Sequence, residues 1–262
     1  MRNDRPRRPT SFPSVEQRRK RRDAAALHAR AMRLIGRGNY PAANISFRTA
    51  LRSAHALGRA DPLLLAALLN DFGVLCKHTG RLATAHQAYT RALRVLRSDK
   101  HSDHAHSVAT LYHNLAGIEF ARHRYKRGAG FARRGIAIRT TARPLDRVAL
   151  ACDEAALAAI LAESDKRSQA LKIFLRTLRL FRRKLGPSHY EVGAVLANLG
   201  ALYWKMGRPE LARRALRRGV SILTRALGAK HPRTASARHN LAIVTATFPD
   251  PGRRSDRNTL GD

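Results

Sequence analysis

The chain has 262 residues, a formal net charge of +33, two cysteines, 44% hydrophobic residues and 6% aromatic ones. This apolar content excludes a wholly disordered polyelectrolyte, and two cysteines exclude a disulfide-stapled scaffold. Few aromatics beside many alanines and leucines point to packed helices, and no apolar run approaches the roughly 20 residues of a bilayer-spanning helix.

In chain order, residues 1–22, "MRNDRPRRPTSFPSVEQRRKRR", come first. They are rich in arginine and proline and lack apolar periodicity, which predicts a disordered basic arm. Arg18, Arg19, Lys20, Arg21 and Arg22 are its candidate polyanion contacts. The "RRPTSF" at 7–12 is followed by charge where an export signal has an apolar run, so the expected location is cytoplasmic.

From residue 23 to 248 the chain repeats itself. A small residue recurs at Ala31, Gly73, Ala116, Ala158, Gly200 and Ala242, and a second one twelve positions later at Ala43, Ala85, Gly128, Ala170 and Ala212. Between the two, turn signals fall at Gly38, Gly80, His123, Asp165 and Gly207, and the connector "LGPSH" at 185–189 returns as "LGAKH" at 227–231. Each copy reads as two amphipathic helices around a tight turn: in the fifth, Val195, Leu196, Leu199, Leu202 and Tyr203 precede Gly207, and Leu211, Ala212, Ala215, Leu216, Val220 and Leu223 follow it. Small residues belong where two helix axes come within about 8–10 Å. One such hairpin cannot bury its apolar face alone, so neighbours must stack. The prediction is an all-α solenoid of five helix-turn-helix repeats and a C-terminal capping helix, with a disordered tail over 249–262. Cys76 and Cys152 fall inside first helices without partners at metal spacing and are expected to fill core space.

The small residues, the "G-[RN]-[YLP]" turns, the aromatics Phe47, Tyr89 and Phe174, and Ala50 and Ala92 three residues beyond the first two together resemble the tetratricopeptide repeat. The 42-residue period, "LGAKHP" at 227–232 and the "NLA" or "NLG" triplets at 114, 198 and 240 are similar to the kinesin-light-chain-like subtype. The third copy departs with Ala132 in the aromatic slot, and the fourth with Glu154 at a usually apolar position, which predicts less regular packing there. The resemblance implies a right-handed superhelix whose first helices line a groove that binds an extended peptide. It also implies that the polar residues just before each first-helix small residue face that groove. Here these are His28, Asn70, Asp71, His113, Asn114, Asn198, His239 and Asn240, with Trp204 and Lys205 one turn further on; Ala155 and Ala156 interrupt the row. An amide suits the task because it both donates and accepts.

Charge is partitioned within the repeats. The first helices balance basic against acidic residues, whereas the second helices carry a single acid, Glu210, among more than twenty basic residues. Arg182, Arg183, Arg213, Arg214, Arg217 and Arg218 are therefore candidates for contact with RNA, DNA or another acidic partner, driven by counterion release and indifferent to sequence. The histidines of "HSDHAH" at 101–106 invite a metal reading, but His104 occupies the connector position of His189 and His231, and no HExxH or cysteine pair supports a metal. There is no GxSxG and no Walker loop, and "GAGFAR" at 128–133 lacks the preceding strand of a dinucleotide site. The expectation is a non-enzymatic scaffold or adaptor with a protein or peptide partner, no cofactor and no metal; the alternative is a polyanion-binding protein.

Overall fold

The computed structural model describes residues 14–57, 61–99 and 104–248. Among these there are eleven helices and no strand: α1 (Val15–Gly36), α2 (Tyr40–Ala56), α3 (Pro62–His78), α4 (Leu82–Ser98), α5 (Ala105–Ala121), α6 (Tyr125–Thr141), α7 (Arg147–Ala162), α8 (Arg167–Leu185), α9 (Tyr190–Lys205), α10 (Pro209–Leu227) and α11 (Pro232–Thr247). The chain divides into two compact units, one up to Ile118 and one from Glu119 onward. In the first, α1 pairs with α2 and α3 with α4, and α3 packs on α2. In the second, α7 pairs with α8 and α9 with α10, while α6 packs on α7, α8 on α9, and α11 closes on α10. This is the helix-turn-helix solenoid expected from the sequence.

The hairpin turns are built by backbone hydrogen bonding. After α1, Gly38 N–H donates to Ile35 O at 2.9 Å and Asn39 N–H donates to Leu34 O at 2.9 Å, with Gly38 at φ +72°. This pairing satisfies two end carbonyls and needs a left-handed residue between them. It recurs after α3 around Gly80, after α5 around His123 and after α9 around Gly207. His123 adopts φ +57° as a non-glycine residue, and its Nδ1 lies 2.8 Å from the Tyr125 hydroxyl. The fourth turn is different. Glu163 and Ser164 N–H donate to Ile160 O and Leu161 O, and Asp165 is not left-handed.

Small residues allow each hairpin to close. Ala31, Ala43, Ala85, Ala116, Ala158, Ala170 and Ala212 are fully buried, with Gly73, Gly128 and Gly200 buried alongside; Ala242, on the last helix, is exposed. A Cβ on Gly219 would stand 2.9 Å from Gly193 O and 3.0 Å from Ala197 N, so α9 and α10 touch backbone to backbone there. The aromatic slots hold Phe47, Tyr89 and Phe174 at 0% exposure, each contributing about 1.5–3 kcal/mol by burial. Ala132 and Leu216 fill the same slot in the third and fifth copies.

The expected disordered arm requires correction over its last residues. Helix α1 begins at Val15, not after Arg22. Ser14 Oγ accepts from Gln17 N–H at 3.1 Å and the Gln17 side chain accepts from Ser14 N–H at 2.8 Å, a reciprocal cap that fixes the helix start. Glu16 pairs with Lys20 at 2.6 Å and Arg21 reaches Asp61 on the next hairpin at 2.7 Å. Residues 1–13 of that arm and the expected tail at 249–262 lie outside the described residues.

Candidate binding surfaces

In the first unit the polar row is assembled as a connected chain. His28 Nε2 on α1 lies 2.7 Å from Asp71 Oδ2 on α3. Asn70 Nδ2 donates to Asp71 Oδ1 at 3.0 Å, and Asn114 Nδ2 on α5 donates to Asn70 Oδ1 at 2.8 Å. All four side chains are half-buried, as is His113, and the partners stand 43 and 44 residues apart, one repeat each. The row therefore ties neighbouring first helices together, and it keeps one edge open to solvent.

In the second unit the equivalent positions are more open. Asn198 and His239 are exposed and Asn240 is half-buried. Lys205 pairs with Glu163, again one repeat away, and Arg233 lies 3.6 Å from Glu191. Trp204 is half-buried: its ring meets Phe248 edge-on at 5.7 Å and packs on the Ala212, Leu216 and Val244 cluster. Its indole thus belongs to the packing of α9 to α11, and the Lys205 ammonium is engaged with Glu163.

The second helices present the cations that the sequence placed there. Arg183, Arg214, Arg217 and Arg218 are exposed, and Arg182 and Arg213 half-buried. On α1, Arg18, Arg19, Arg21 and Arg22 are exposed and Lys20 is half-buried against Glu16. Arg139 on α6 does not join this basic face. Its guanidinium is buried, with Nε donating to Asp153 Oδ2 of α7 at 2.6 Å and side-chain exposures of 5% and 3%. The spacing Gly128, Ala132, Gly135, Arg139 along one buried stripe was the signal for it. Glu119 is likewise fully buried, facing Arg127 at 3.4 Å and Arg122 at 3.5 Å, and Glu154 reaches Arg176 at 2.7 Å.

The remaining reactive groups serve structure. Nδ1 of His189 and of His231 accepts the N–H of Glu191 and of Arg233 at 3.2 Å, capping α9 and α11. His104 Nε2 lies 2.8 Å from Asp99 Oδ2. The connector histidines are thus used locally. Burial pushes the Cys76 thiol up, and burial followed by the Glu191 and Asp153 charges pushes Cys152 up to about 12, so neither is poised as a thiolate. Among the described residues no three His, Cys, Asp or Glu side chains gather as a metal site, and no helix is long and apolar enough to cross a membrane.

Hairpins recurring at a near-constant period, four of the five sealed by the same turn, and stacked through small residues define a helical-hairpin repeat protein. Residues 148–225 match the tetratricopeptide repeat family model. The fold is similar to a putative kinesin light chain of Podospora anserina with nearly identical TPR-like repeats, at 14% identity and TM-score 0.60, over 82% of this chain and 98% of that one. It is also similar to BtubC (BKLC) from P. vanneervenii, at 19% identity and TM-score 0.56, over 89% and 84% of the two chains. A third similar structure is a thermophilic TPR protein of Thermus thermophilus, at 16% identity and TM-score 0.57, over 85% and 99%. No curated protein sequence matches the chain. The tetratricopeptide-like fold is thereby shown, including its likeness to kinesin-light-chain-type repeats.

Proposed function

We propose that the protein is a non-enzymatic scaffold or adaptor that holds a protein or peptide partner, in the cytoplasm, on the faces of its first helices. The observation that carries this reading is the row of polar side chains, mostly amides and imidazoles, recurring at two adjacent repeat positions, linked from His28 through Asp71 and Asn70 to Asn114 in the first unit, with Asn198 and His239 exposed and Asn240 half-buried in the second. Such a row presents alternating donors and acceptors at a fixed spacing, which matches peptide units and not any particular side chain. Asp71, within the row itself, disfavours a strongly acidic partner there.

The test is affinity capture on immobilised full-length protein, comparing Asn198→Ala/His239→Ala with Arg183→Gln/Arg214→Gln. The two first-helix side chains are exposed, so their removal leaves the fold intact. The reading expects a partner captured by the native chain and by the arginine variant, and lost on the Asn/His variant; loss on the arginine variant alone would sink it.

A second reading has its own observation: Arg183, Arg214, Arg217 and Arg218 are exposed on α8 and α10, whose single acid is Glu210. These would hold an RNA or DNA backbone without base selection, with affinity falling steeply as salt rises. A salt series with an RNA duplex tests it, flat or absent binding counting against.

A further inference from the structure

A cleft of about 760 Å³ opens in the first unit, lined by α2 and α4 above Phe72 of α3. Arg48, Arg52, Arg81 and Arg91 line it and no carboxylate does. All four are exposed, and among the described residues none of them is paired with a carboxylate. Neutral groups orient three of them instead. Arg52 Nη2 donates to Thr49 Oγ1 at 3.3 Å, Arg81 Nε to Thr79 Oγ1 at 3.1 Å and Arg81 Nη2 to Asn44 Oδ1 at 3.2 Å, while Arg91 Nη2 lies 3.5 Å from His55 Nδ1. Elsewhere the chain uses its few acids to neutralise arginines: Arg21, Arg139, Arg176 and Arg233 each face a carboxylate. Here four guanidiniums converge on one concavity without an acid.

Like charges gathered in a concave wall raise the local potential and draw in anions. Guanidinium forks fit phosphate oxygens two at a time, so four of them suit a chain of phosphates better than a single carboxylate. The apolar part of the lining is also informative. Ile45 is 66% exposed and the Phe72 ring is half-buried, which gives a flat apolar body somewhere to rest beside the charges. The volume falls within the roughly 300–1,000 Å³ of small-molecule sites. We propose that this cleft binds a small organic polyphosphate of nucleotide size, with its phosphates on Arg48, Arg52, Arg81 and Arg91 and its ring against Phe72 and Ile45. It stands apart from the peptide reading, because no residue of the first-helix row lines it.

The experiment titrates the full-length protein with fluorescent N-methylanthraniloyl-ATP at about 150 mM salt, where diffuse surface attraction is screened beyond about 8 Å. The proposal expects one-to-one saturation, displacement by ATP, weaker displacement by tripolyphosphate and none by adenosine. Arg48→Gln/Arg91→Gln should weaken binding at least about tenfold, a loss of about 1.4 kcal/mol. The Arg133→Gln/Arg134→Gln control, at two exposed arginines of α6, should bind as the native chain does, and both variants should keep the native circular dichroism. Absence of saturation, equal losses in the two variants, or tripolyphosphate competing as well as ATP each overturns it. So does displacement by random RNA that tightens with every added nucleotide, the mark of a diffuse polyanion surface.

Discussion

Cutting the buried Arg139–Asp153 pair should unseat α6 from α7. At 2.6 Å and an effective dielectric of about 20, the gross attraction is about 6 kcal/mol, and desolvation of the two ions offsets most of it. The pair is therefore nearly neutral as a whole, and what matters is the cost of stranding one member. With exposures of 5% and 3%, neither ion can reach water without moving a helix. Asp153→Leu leaves a guanidinium buried and should cost about 3–5 kcal/mol, and Arg139→Met should cost a similar amount. The double variant Arg139→Met/Asp153→Leu replaces both ions with apolar volume and should return to within about 1 kcal/mol of the native chain. Urea unfolding followed by circular dichroism measures all three, and amide exchange of α6 and α7 locates the loss. Single variants that each cost under about 1 kcal/mol, or a double variant no better than the singles, would refute the reasoning.

Three further outcomes are expected. Gly219→Ala drives a methyl against Gly193 O and Ala197 N, backbone atoms that cannot turn aside, and should cost about 1–3 kcal/mol in thermal or urea unfolding; Gly130→Ala, whose methyl meets nothing within 4 Å, should instead be neutral or stabilising by up to about 1 kcal/mol. His231 caps α11 through an unprotonated Nδ1, and burial, then Arg233, lowers its pKa from 6.5. The neutral ring is thus favoured in the folded chain, so its contribution is present above about pH 6.5 and lost as pH falls through the lower folded value; the protection factor of the Arg233 amide, its exchange rate relative to the intrinsic rate at each pH, should fall on acidification, and His231→Asn should remove that dependence. Cys76 and Cys152 should react slowly with a thiol reagent at pH 8 in native buffer and rapidly in denaturant, fast native labelling being the contrary result.

The repeat was legible because its constraints are local. A left-handed turn at Gly38, Gly80 and Gly207, and a methyl or less where helices cross, leave marks at fixed spacing. His123 kept its place in that register despite its side chain. Asp165 held the position but not the conformation, since the fourth turn closes through Glu163 and Ser164 instead. The start of α1 was written in Ser14 and Gln17, yet the arginines that follow hide it: a helix held by one cap, one ion pair to Asp61 and two buried alanines shows little apolar period. The polar row could be placed by position alone. Its bonding of Asn114 to Asn70 and of His28 to Asp71 spans a whole repeat and depends on how closely first helices approach. Arg139 shares its residue type with the basic face, and only its place on a buried stripe sets it apart. The arginine cleft was out of reach, as Arg48 and Arg91 come to line one cleft only once α2 and α4 are folded.

The recurring turn closure also has a mechanical meaning. Each hairpin is fastened at its tip by its own backbone bonds, so one hairpin can come apart without unmaking the turns of its neighbours. Under tension such a chain yields link by link. With a period of 42 residues, each link that gives way releases about 140–150 Å of extended chain. A partner tethered to these repeats would be held by a stepwise extensible strap and not by a rigid rod.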